Sequence, residues 1–267
     1  MKYFPVYGYH IEDEQVFPDF TLHPLENTAL QRRIKCHAIG EYHLTAILEI
    51  TEDQNPMRLL YLQSILSFID QREVRIPHQM GIDATSASAA AKIIKPHRFK
   101  DERGFGKNKI FPETPDANAC RKNFTHFSLT AMLDESRTDI HEIRQLLQNC
   151  IFAFLPGAAG HNDVRSYFYM SALRNLADKT IEGNKPDNIA LFLRNLGFQL
   201  VRAEQDMTTD DLARHHARLF ATSDDPIQDN QSHLKQIAEL VPLVLIRHLG
   251  FHDTQLRWGP WATSDVA

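Results

Sequence analysis

The spacing of the apolar residues changes near the middle of this chain, and that change limits the folds it can adopt. Within residues 1–54, apolar and polar residues alternate in segments rich in β-branched and aromatic side chains, as in FTLH at Phe20–His23. Such alternation is typical of strands with one buried face. After Ser136, apolar residues recur every three or four positions, which is the spacing of an amphipathic helix. We therefore expect an α+β protein, with a strand-rich domain at 1–134 and an all-helical domain at 135–267.

The first domain is also expected to contain helices and one further strand. Apolar residues at helical spacing predict a helix at Asn55–Gln71. A small helix is predicted at Ala84–Ile94, with Thr85 or Ser86 as its N-cap. The segment NFTHFSLTAML, Asn123–Leu133, returns to alternation and is interpreted as the last strand of this half.

Five helices are predicted in the second domain, each with apolar residues on one face. They cover about 140–154, Val164–Ile181, Asp187–Arg202, Asp210–Ala221 and His233–Leu249. Asn162 or Asp163 is expected to cap the second helix, and Ser232 the fifth. Gly250 follows the last apolar residue of the fifth helix, which is expected to end there.

Composition and charge exclude several classes of protein. The chain has 267 residues, of which 43% are apolar, enough to bury a core as one large domain or two small ones. The longest apolar run is far shorter than the ~20 residues that span a bilayer, and the N-terminal segment turns acidic without an apolar signal core. We therefore expect a cytoplasmic protein that makes no membrane contact. The net charge of −5 argues against a broadly basic surface but is compatible with a local basic patch.

A cluster of Arg and His residues in the predicted helix at 210–221 is the first candidate for catalysis. The segment DLARHHARLF places Arg214, His215, His216 and Arg218 within about one helical turn. RNA cleavage without a metal needs a base for the 2′-OH, a cation for the phosphorane-like transition state and a proton for the leaving oxygen. His can take or give a proton near neutral pH, and the planar fork of Arg suits a phosphate. The alternative is a solvated helix face whose arginines pair with neighbouring Asp residues.

A basic loop is the candidate RNA contact. Residues 95–123 have little regular pattern, and the loop at 92–122 begins with KIIKPHRFKDERGFGKNK. Its basic residues are Lys92, Lys95, Arg98, Lys100, Arg103, Lys107 and Lys109. Phe99 and Phe105 are interleaved with them, and this combination suits the phosphates and unpaired bases of single-stranded RNA. An acidic surface on a partner, or an ordinary solvated loop, is the alternative.

Metal ligation is another role open to the histidines. His248 and His252 lie at i and i+4, a spacing that zinc can use, but Gly250 is expected to end the helix between them. The sequence contains no H-E-x-x-H, and its three cysteines are widely spaced without a C-x-x-C pair. We therefore expect no metal site and no other cofactor.

The helical half resembles the HEPN superfamily, in particular the HEPN domains of prokaryotic abortive-infection proteins. The resemblance covers about Arg165–Gly250 and rests on the layout of YFYMSALRNLAD, NIALFLRNLGFQL, DDLARHHARLF, a polar loop and LKQIAELVPLVLIRHLGF. It implies a small helical bundle that forms a dimer. It also implies a metal-independent ribonuclease site: an Arg, often followed by Asn, Asp or His, with a His some four to six residues later.

The chain departs from that motif on the helix where the resemblance places it. Counted from Arg218, the His position holds Ser223. Counted from Arg214, the same position holds Leu219 or Phe220. The motif on this helix is therefore degenerate.

An intact match lies at the end of the last helix, in RHLGFH, which makes Arg247 and His252 the alternative catalytic residues. The resemblance implies an RNA-binding protein of a prokaryotic defence or toxin system that acts on tRNA or single-stranded RNA as an endoribonuclease. The degenerate motif leaves a second hypothesis open. The chain is then a non-catalytic scaffold, or an RNA-holding subunit of a larger complex, for example a CRISPR-type antiviral complex.

Overall fold

The computed structural model describes residues 1–9, 11–25, 41–51, 56–94, 99–100, 110–111, 117–154, 161–182, 188–199, 231–256 and 262–263. The chain divides into two compact units. One contains residues 1–107 and 121–133, and the other contains residues 108–120 and 134–267. The predicted α+β class is confirmed, because an antiparallel sheet dominates the N-terminal part and helices dominate the remainder.

The first unit is built on a five-stranded antiparallel sheet. Its described strands are β1 (Lys2–Tyr7), β2 (Gln15–Val16), β3 (Phe20–Pro24), β4 (Glu41–Tyr42), β5 (Leu44–Ile50), β6 (Ile82–Asp83) and β7 (Phe99–Lys100). The strand order is β2-β3-β5-β1-β6, and β4 pairs with β7 separately. The predicted alternation in β3 is confirmed, since Phe20 and Leu22 are buried while Thr21 and His23 are partly exposed.

Three α-helices and one short 3-10 helix (His78–Met80) in the part of the chain that the structure describes accompany this sheet. The α-helices are α1 (Pro56–Asp70), α2 (Ala87–Ile93) and α3 (Asn118–Leu133). The hydroxyl of Ser86 accepts a hydrogen bond of 3.1 Å from the backbone N–H of Ala89, so Ser86 is the N-cap of α2, as one of the two alternatives predicted. Ala90 of α2 packs with Tyr3 in one core cluster. Ile94, which follows the last residue of α2, belongs to the same cluster.

The prediction of a strand at Asn123–Leu133 was wrong, because this segment belongs to α3. The helix also begins inside the segment predicted to be a loop. The buried residues of α3 include Phe124, Thr125, Ser128 and Leu129. Residues with this spacing lie on one face of a helix. Two of these buried positions are polar, so the apolar residues alone did not show the helical period.

A buried ion pair connects α3 with the end of α1. Nη2 of Arg121 donates to Oδ1 of Asp70 at 2.5 Å, and the two side chains are only 2% and 0% exposed. The guanidinium also lies over the ring of Tyr9, 5.4 Å from its centroid. Burial disfavours the charge on Arg121, but the contacts with Tyr9 and Asp70 outweigh it and raise the pKa of the guanidinium.

The second unit is helical, with one short ribbon. Its described elements are α4 (Ile140–Phe154), α5 (Asn162–Thr180), α6 (Asn188–Asn195), β8 (Phe198–Gln199), α7 (Gln231–Leu249) and β9 (Ala262–Thr263). Helix α5 packs against α4, α6 and α7, and α7 also contacts α4. The two-residue strands β8 and β9 pair in antiparallel fashion, which the expectation of an all-helical domain did not include.

Several predicted helix ends in this unit need correction. The helix expected at Asp187–Arg202 ends at Asn195, because Gly197 adopts a φ of 82° and the chain then enters β8. The N-cap of α5 is His161, so the predicted caps Asn162 and Asp163 lie inside the first turn. Ser232 lies within α7 instead of capping it. The helix predicted at 210–221 lies outside the described residues.

Within the described ranges, no helix is both long enough and apolar enough to cross a lipid bilayer.

Candidate functional site

Helix α7 ends in a turn that brings the two ends of the RHLGFH segment together. Gly250 has a positive φ of 87°. Its N–H donates to the carbonyl of Arg247, and the N–H of Phe251 donates to the carbonyl of Ile246. These two bonds form a Schellman motif, in which glycine follows the end of a helix. Phe251 is buried beyond the turn, and the exposed His252 returns to the helix end.

Arg247 and His252 are in direct contact across this turn. Nη1 of Arg247 lies 2.8 Å from Nδ1 of His252. Because a guanidinium can only donate, Nδ1 is the acceptor, and Nε2 carries the proton of the neutral ring. The structure thus brings together the two residues that the sequence offers as the alternative catalytic pair.

A second hydrogen bond fixes the orientation of Arg247. Its Nε donates to the carbonyl of Leu196 at 3.2 Å, just beyond the end of α6. The last carbonyls of a helix have no partner within the helix, so a side-chain donor there satisfies a group that would otherwise lack one. Arg247 is therefore held between the end of α6 and the imidazole of His252.

A second layer of charged residues lies behind this pair. Nε2 of His248 donates to Oδ2 of Asp139 at 2.7 Å. Arg137 donates from Nε and Nη2 to the two oxygens of the same carboxylate, both at 3.1 Å. The ring of His248 also packs on Phe192, with centroids 5.6 Å apart. We call Arg137, Asp139, Arg247, His248 and His252 the α7 end cluster.

Burial and charge act in opposite directions on the inner layer. Burial lowers the pKa of His248, and the neighbouring Asp139 only partly offsets that effect. Burial disfavours the charge on Asp139, but hydrogen bonds from Arg137 and His248 outweigh it and hold the pKa of Asp139 below its ordinary value. At neutral pH the contact therefore joins a neutral imidazole donor to a carboxylate.

The α7 end cluster combines a cation with an imidazole at the protein surface. The guanidinium of Arg247 can pair with two oxygens of a phosphate, and the imidazole of His252 is a group of the type that transfers protons in catalysis. The inner layer holds the last turn of α7 against the chain before α4. A helix C-terminus carries a partial negative charge, which also favours basic residues at these positions.

Other predicted site residues lie outside the described residues. These are the first catalytic set, Arg214, His215, His216 and Arg218, and five basic-loop residues, Lys95, Arg98, Arg103, Lys107 and Lys109. Lys92 is exposed in the last turn of α2. The backbone of Lys100 pairs with Glu41 between β7 and β4.

No local pattern in the sequence indicates that Arg137 and Asp139 belong to this cluster. Asp139 and His248 are 109 positions apart in the chain, and no local spacing connects them. Asp139 stands immediately before α4, where an acidic residue is favoured by the helix dipole alone. A helix-capping role is therefore what the local sequence would indicate.

Comparisons with known proteins assign no family and no function to the residues of this site. No protein-family model matches the chain, and neither the curated proteins nor the solved structures contain a match. Across the described ranges, no three His, Cys, Asp or Glu side chains come together in a way that could hold a metal ion.

Proposed function

We propose that this chain is a cytoplasmic, HEPN-like RNA-binding protein with metal-independent endoribonuclease activity. The observation that carries the proposal is the 2.8 Å contact between Nη1 of Arg247 and Nδ1 of His252 at an exposed helix end. One residue supplies a phosphate ligand and the other a proton-transfer group. The resemblance of 165–250 to HEPN domains supports a role in a prokaryotic defence or toxin system, and it supports a dimer.

In this proposal the RNA phosphate replaces His252 as the partner of Arg247. Nδ1 of His252 then becomes available to accept the proton of the 2′-OH. The 2′ oxygen attacks phosphorus, so that a new O–P bond forms while the P–O5′ bond breaks. The departing oxygen takes a proton from water, and the hydroxide that remains takes the proton held by His252, which returns the imidazole to its neutral form. Arg247 stabilises the added negative charge of the transition state.

His248 and Asp139 are positioning residues in this scheme. Their 2.7 Å hydrogen bond holds the last turn of α7 in place, and Arg137 fixes the carboxylate from its other side. Neither residue needs to touch the RNA. Loss of this bond should therefore displace Arg247 and reduce the rate without removing a reacting group.

The test is cleavage of labelled tRNA and of a single-stranded RNA in the presence of EDTA. Wild type should cut, and Arg247→Ala and His252→Ala should each slow cleavage by about 100-fold or more, the usual contribution of a proton-transfer group or an oxyanion ligand. Thr254→Ala is the matched control, because Thr254 is exposed just after the same turn. It should cut like wild type.

The other predicted site is tested in the same assay. Arg214→Ala/Arg218→Ala should retain cleavage if the α7 end cluster is the catalytic site. Cleavage that is lost in this double variant but retained in His252→Ala would move the site to the helix predicted at 210–221.

A non-catalytic scaffold or RNA-holding subunit is the second candidate, because the basic residues of α7 also join helices. Arg247 satisfies the carbonyl of Leu196, and His248 contacts both Phe192 and Asp139. An RNA-holding subunit predicts RNA binding that weakens with salt but no cleavage, whereas a scaffold predicts no RNA binding. Arg247→Ala would then lower stability and leave RNA affinity unchanged.

A further inference from the structure

The imidazole of His23 lies between two carboxylates on the sheet of the first unit. Its Nδ1 is 2.8 Å from Oε2 of Glu14, and its Nε2 is 2.8 Å from Oε2 of Glu49. A neutral imidazole has one N–H and one lone pair, whereas an ionised carboxylate can only accept hydrogen bonds. Both contacts are therefore hydrogen bonds only when the ring holds two protons and carries a positive charge. We call this arrangement the His23 bridge.

The register of the sheet brings the three side chains of the His23 bridge together. Glu14 immediately precedes β2, and the pairing of β2 with β3 places it beside His23. On the other side of β3, the partner of Thr21 is Glu49 on β5. Thr21 and His23 are two positions apart, so their side chains lie on the same face of the strand. The bridge thus joins three neighbouring segments of one sheet.

The other titratable groups around the bridge keep their charge state near neutral pH. Tyr3 on β1 also faces Glu49, and burial together with the negative charge of Glu49 raises the pKa of its hydroxyl. Tyr3 is therefore neutral between about pH 5 and 8. Glu12 and Asp13, which precede Glu14 in the chain, are exposed acids. Among these groups, the imidazole is the one of a type that changes charge between about pH 5 and 8.

The two carboxylates differ in how well water can replace the imidazole. The side chain of Glu14 is 54% exposed, but that of Glu49 is only 18% exposed. A neutral imidazole keeps one N–H, and that donor is needed most by the carboxylate that water reaches least. The proton should therefore stay on Nε2, toward Glu49. Nδ1 then presents a lone pair to Glu14, which can turn to water instead.

The His23 bridge fixes one end of a short edge strand. β2 has two residues, lies at the edge of the sheet and pairs only with β3. At its other end the rings of Phe17 and Phe20 stack with centroids 4.2 Å apart, and the N–H of Phe17 donates to the carbonyl of Phe20 at 2.9 Å. These two contacts do not titrate. A change in the charge of His23 therefore acts on the Glu14 end of β2.

We infer that the His23 bridge is a pH-dependent latch that holds β2 on β3. While both ring nitrogens hold a proton, Glu14 is bound and the latch is closed. When Nδ1 releases its proton, Glu14 separates and the backbone edge of β3 becomes accessible. The latch should open as pH rises through about 5–8, and again below about pH 4, where glutamate is protonated. This inference concerns the first unit and does not depend on the proposed ribonuclease activity.

Hydrogen exchange measured by mass spectrometry tests the latch, with Glu14→Gln as the reference protein. The amide can accept a hydrogen bond from a charged imidazole and donate one to a neutral imidazole, so this variant should stay closed at both pH values. At about pH 5.5, residues 11–17 should exchange alike in wild type and variant. At about pH 8.5 they should exchange about tenfold faster in wild type, as expected for the loss of a hydrogen bond to a charged group. Comparison at equal pH removes the intrinsic pH dependence of exchange.

His126→Gln is the matched control, because His126 is an exposed histidine on α3. Its exchange at residues 11–17 should equal that of wild type at both pH values. Ring nitrogen chemical shifts of His23 provide a second test that needs no variant. They should show two N–H groups at about pH 5.5 and a proton on Nε2 alone at about pH 8.5.

Two results would overturn the inference. One is a ratio of exchange rates between wild type and Glu14→Gln that is the same at both pH values. The other is a His23 ring with a single N–H at about pH 5.5, because the bridge would then lack the second proton that it needs.

Discussion

Nη1 of Arg247 lies 2.8 Å from Nδ1 of His252, across a turn in which Gly250 has a φ of 87°. In a continuous helix, residues five apart point in directions about 140° apart, so this contact depends on the turn. The five-residue spacing of the Arg-His motif therefore brings the two side chains together only because Gly250 turns the chain between them. The proposed ribonuclease site depends on that turn.

Gly250→Ala tests this dependence. An added Cβ would meet no atom within 4 Å, so the cost arises from the left-handed backbone alone, about 1–2 kcal/mol. We expect a lower Tm and slower RNA cleavage, because the helix end shifts and the contact between Arg247 and His252 is lost. Gly250→Asn should lie between wild type and Gly250→Ala, since Asn adopts this conformation more readily. Equal Tm and equal cleavage rate for wild type and Gly250→Ala would contradict the account.

The contact of His248 with Asp139 predicts how stability depends on pH. The pKa of His248 is lower in the folded chain than its ordinary value, which is about 6.5 in the unfolded chain. Between these two pKa values the unfolded chain binds more protons, so the free energy of unfolding rises with pH. The contribution of His248 is thus fully present above about pH 6.5 and is lost as pH falls through its folded pKa.

His248→Gln removes this titration and keeps an N–H donor for Asp139. Urea unfolding at about pH 7.5 and about pH 5, on either side of the ordinary His pKa, should show a smaller loss of stability on acidification for the variant than for wild type. The lowered pKa of Asp139 acts in the same direction, but only near and below about pH 4. A pH slope in the variant as steep as in wild type would show that another group titrates.

The ion pair between Asp70 and Arg121 should be the most sensitive polar contact of the first unit. Asp70→Asn leaves the buried Arg121 without its carboxylate, and the loss of one partner of a buried pair costs about 3–5 kcal/mol. Asp70→Asn/Arg121→Met should be more stable than Asp70→Asn, since the guanidinium of Arg121 is then no longer buried without a carboxylate. The second buried guanidinium near this position, that of Arg72, whose Nε lies 3.9 Å from Oδ2 of Asp70, is present in both variants. Urea unfolding midpoints measure both effects.

Lys235→Ala is the control for that series. Nζ of Lys235 lies 4.0 Å from Oε1 of Glu239, and the Lys235 side chain is 70% exposed. Its removal should therefore change the free energy of unfolding by less than about 1 kcal/mol. If Lys235→Ala lowered the free energy of unfolding as much as Asp70→Asn does, burial of the ion pair would not explain the effect of Asp70→Asn.

Local signals in the sequence predicted much of the fold. Segments whose structure depends on contacts with distant parts of the chain were harder to predict. Ser86 could be predicted as one of two candidate caps, with Thr85, because a cap hydroxyl bonds a backbone N–H only two or three residues later. Helix α3 was mistaken for a strand because Thr125 and Ser128 occupy part of its buried face. Their burial is set by tertiary packing, which residue type does not reveal. Gly197 ended α6 earlier than its apolar spacing indicated.

The same division applies to the candidate site. Arg247 and His252 could be named as a pair because RHLGFH matches the Arg-His spacing that the resemblance to HEPN domains implies. Arg137 and Asp139 could not, since they reach His248 through the packing of the second unit, from positions more than 100 residues away. A site assembled from distant segments leaves no periodic signal in a single sequence.

The most direct test of the central claim is a double-mutant cycle on RNA cleavage in EDTA, with Arg247→Ala, His252→Ala and the two combined. The account predicts that each single variant loses about 100-fold or more and that the double variant is little worse, because the two residues act on one phosphate. Urea unfolding of the same samples shows whether the fold is retained. Unchanged cleavage in both single variants, with intact folding, would contradict the claim that Arg247 and His252 form the catalytic site.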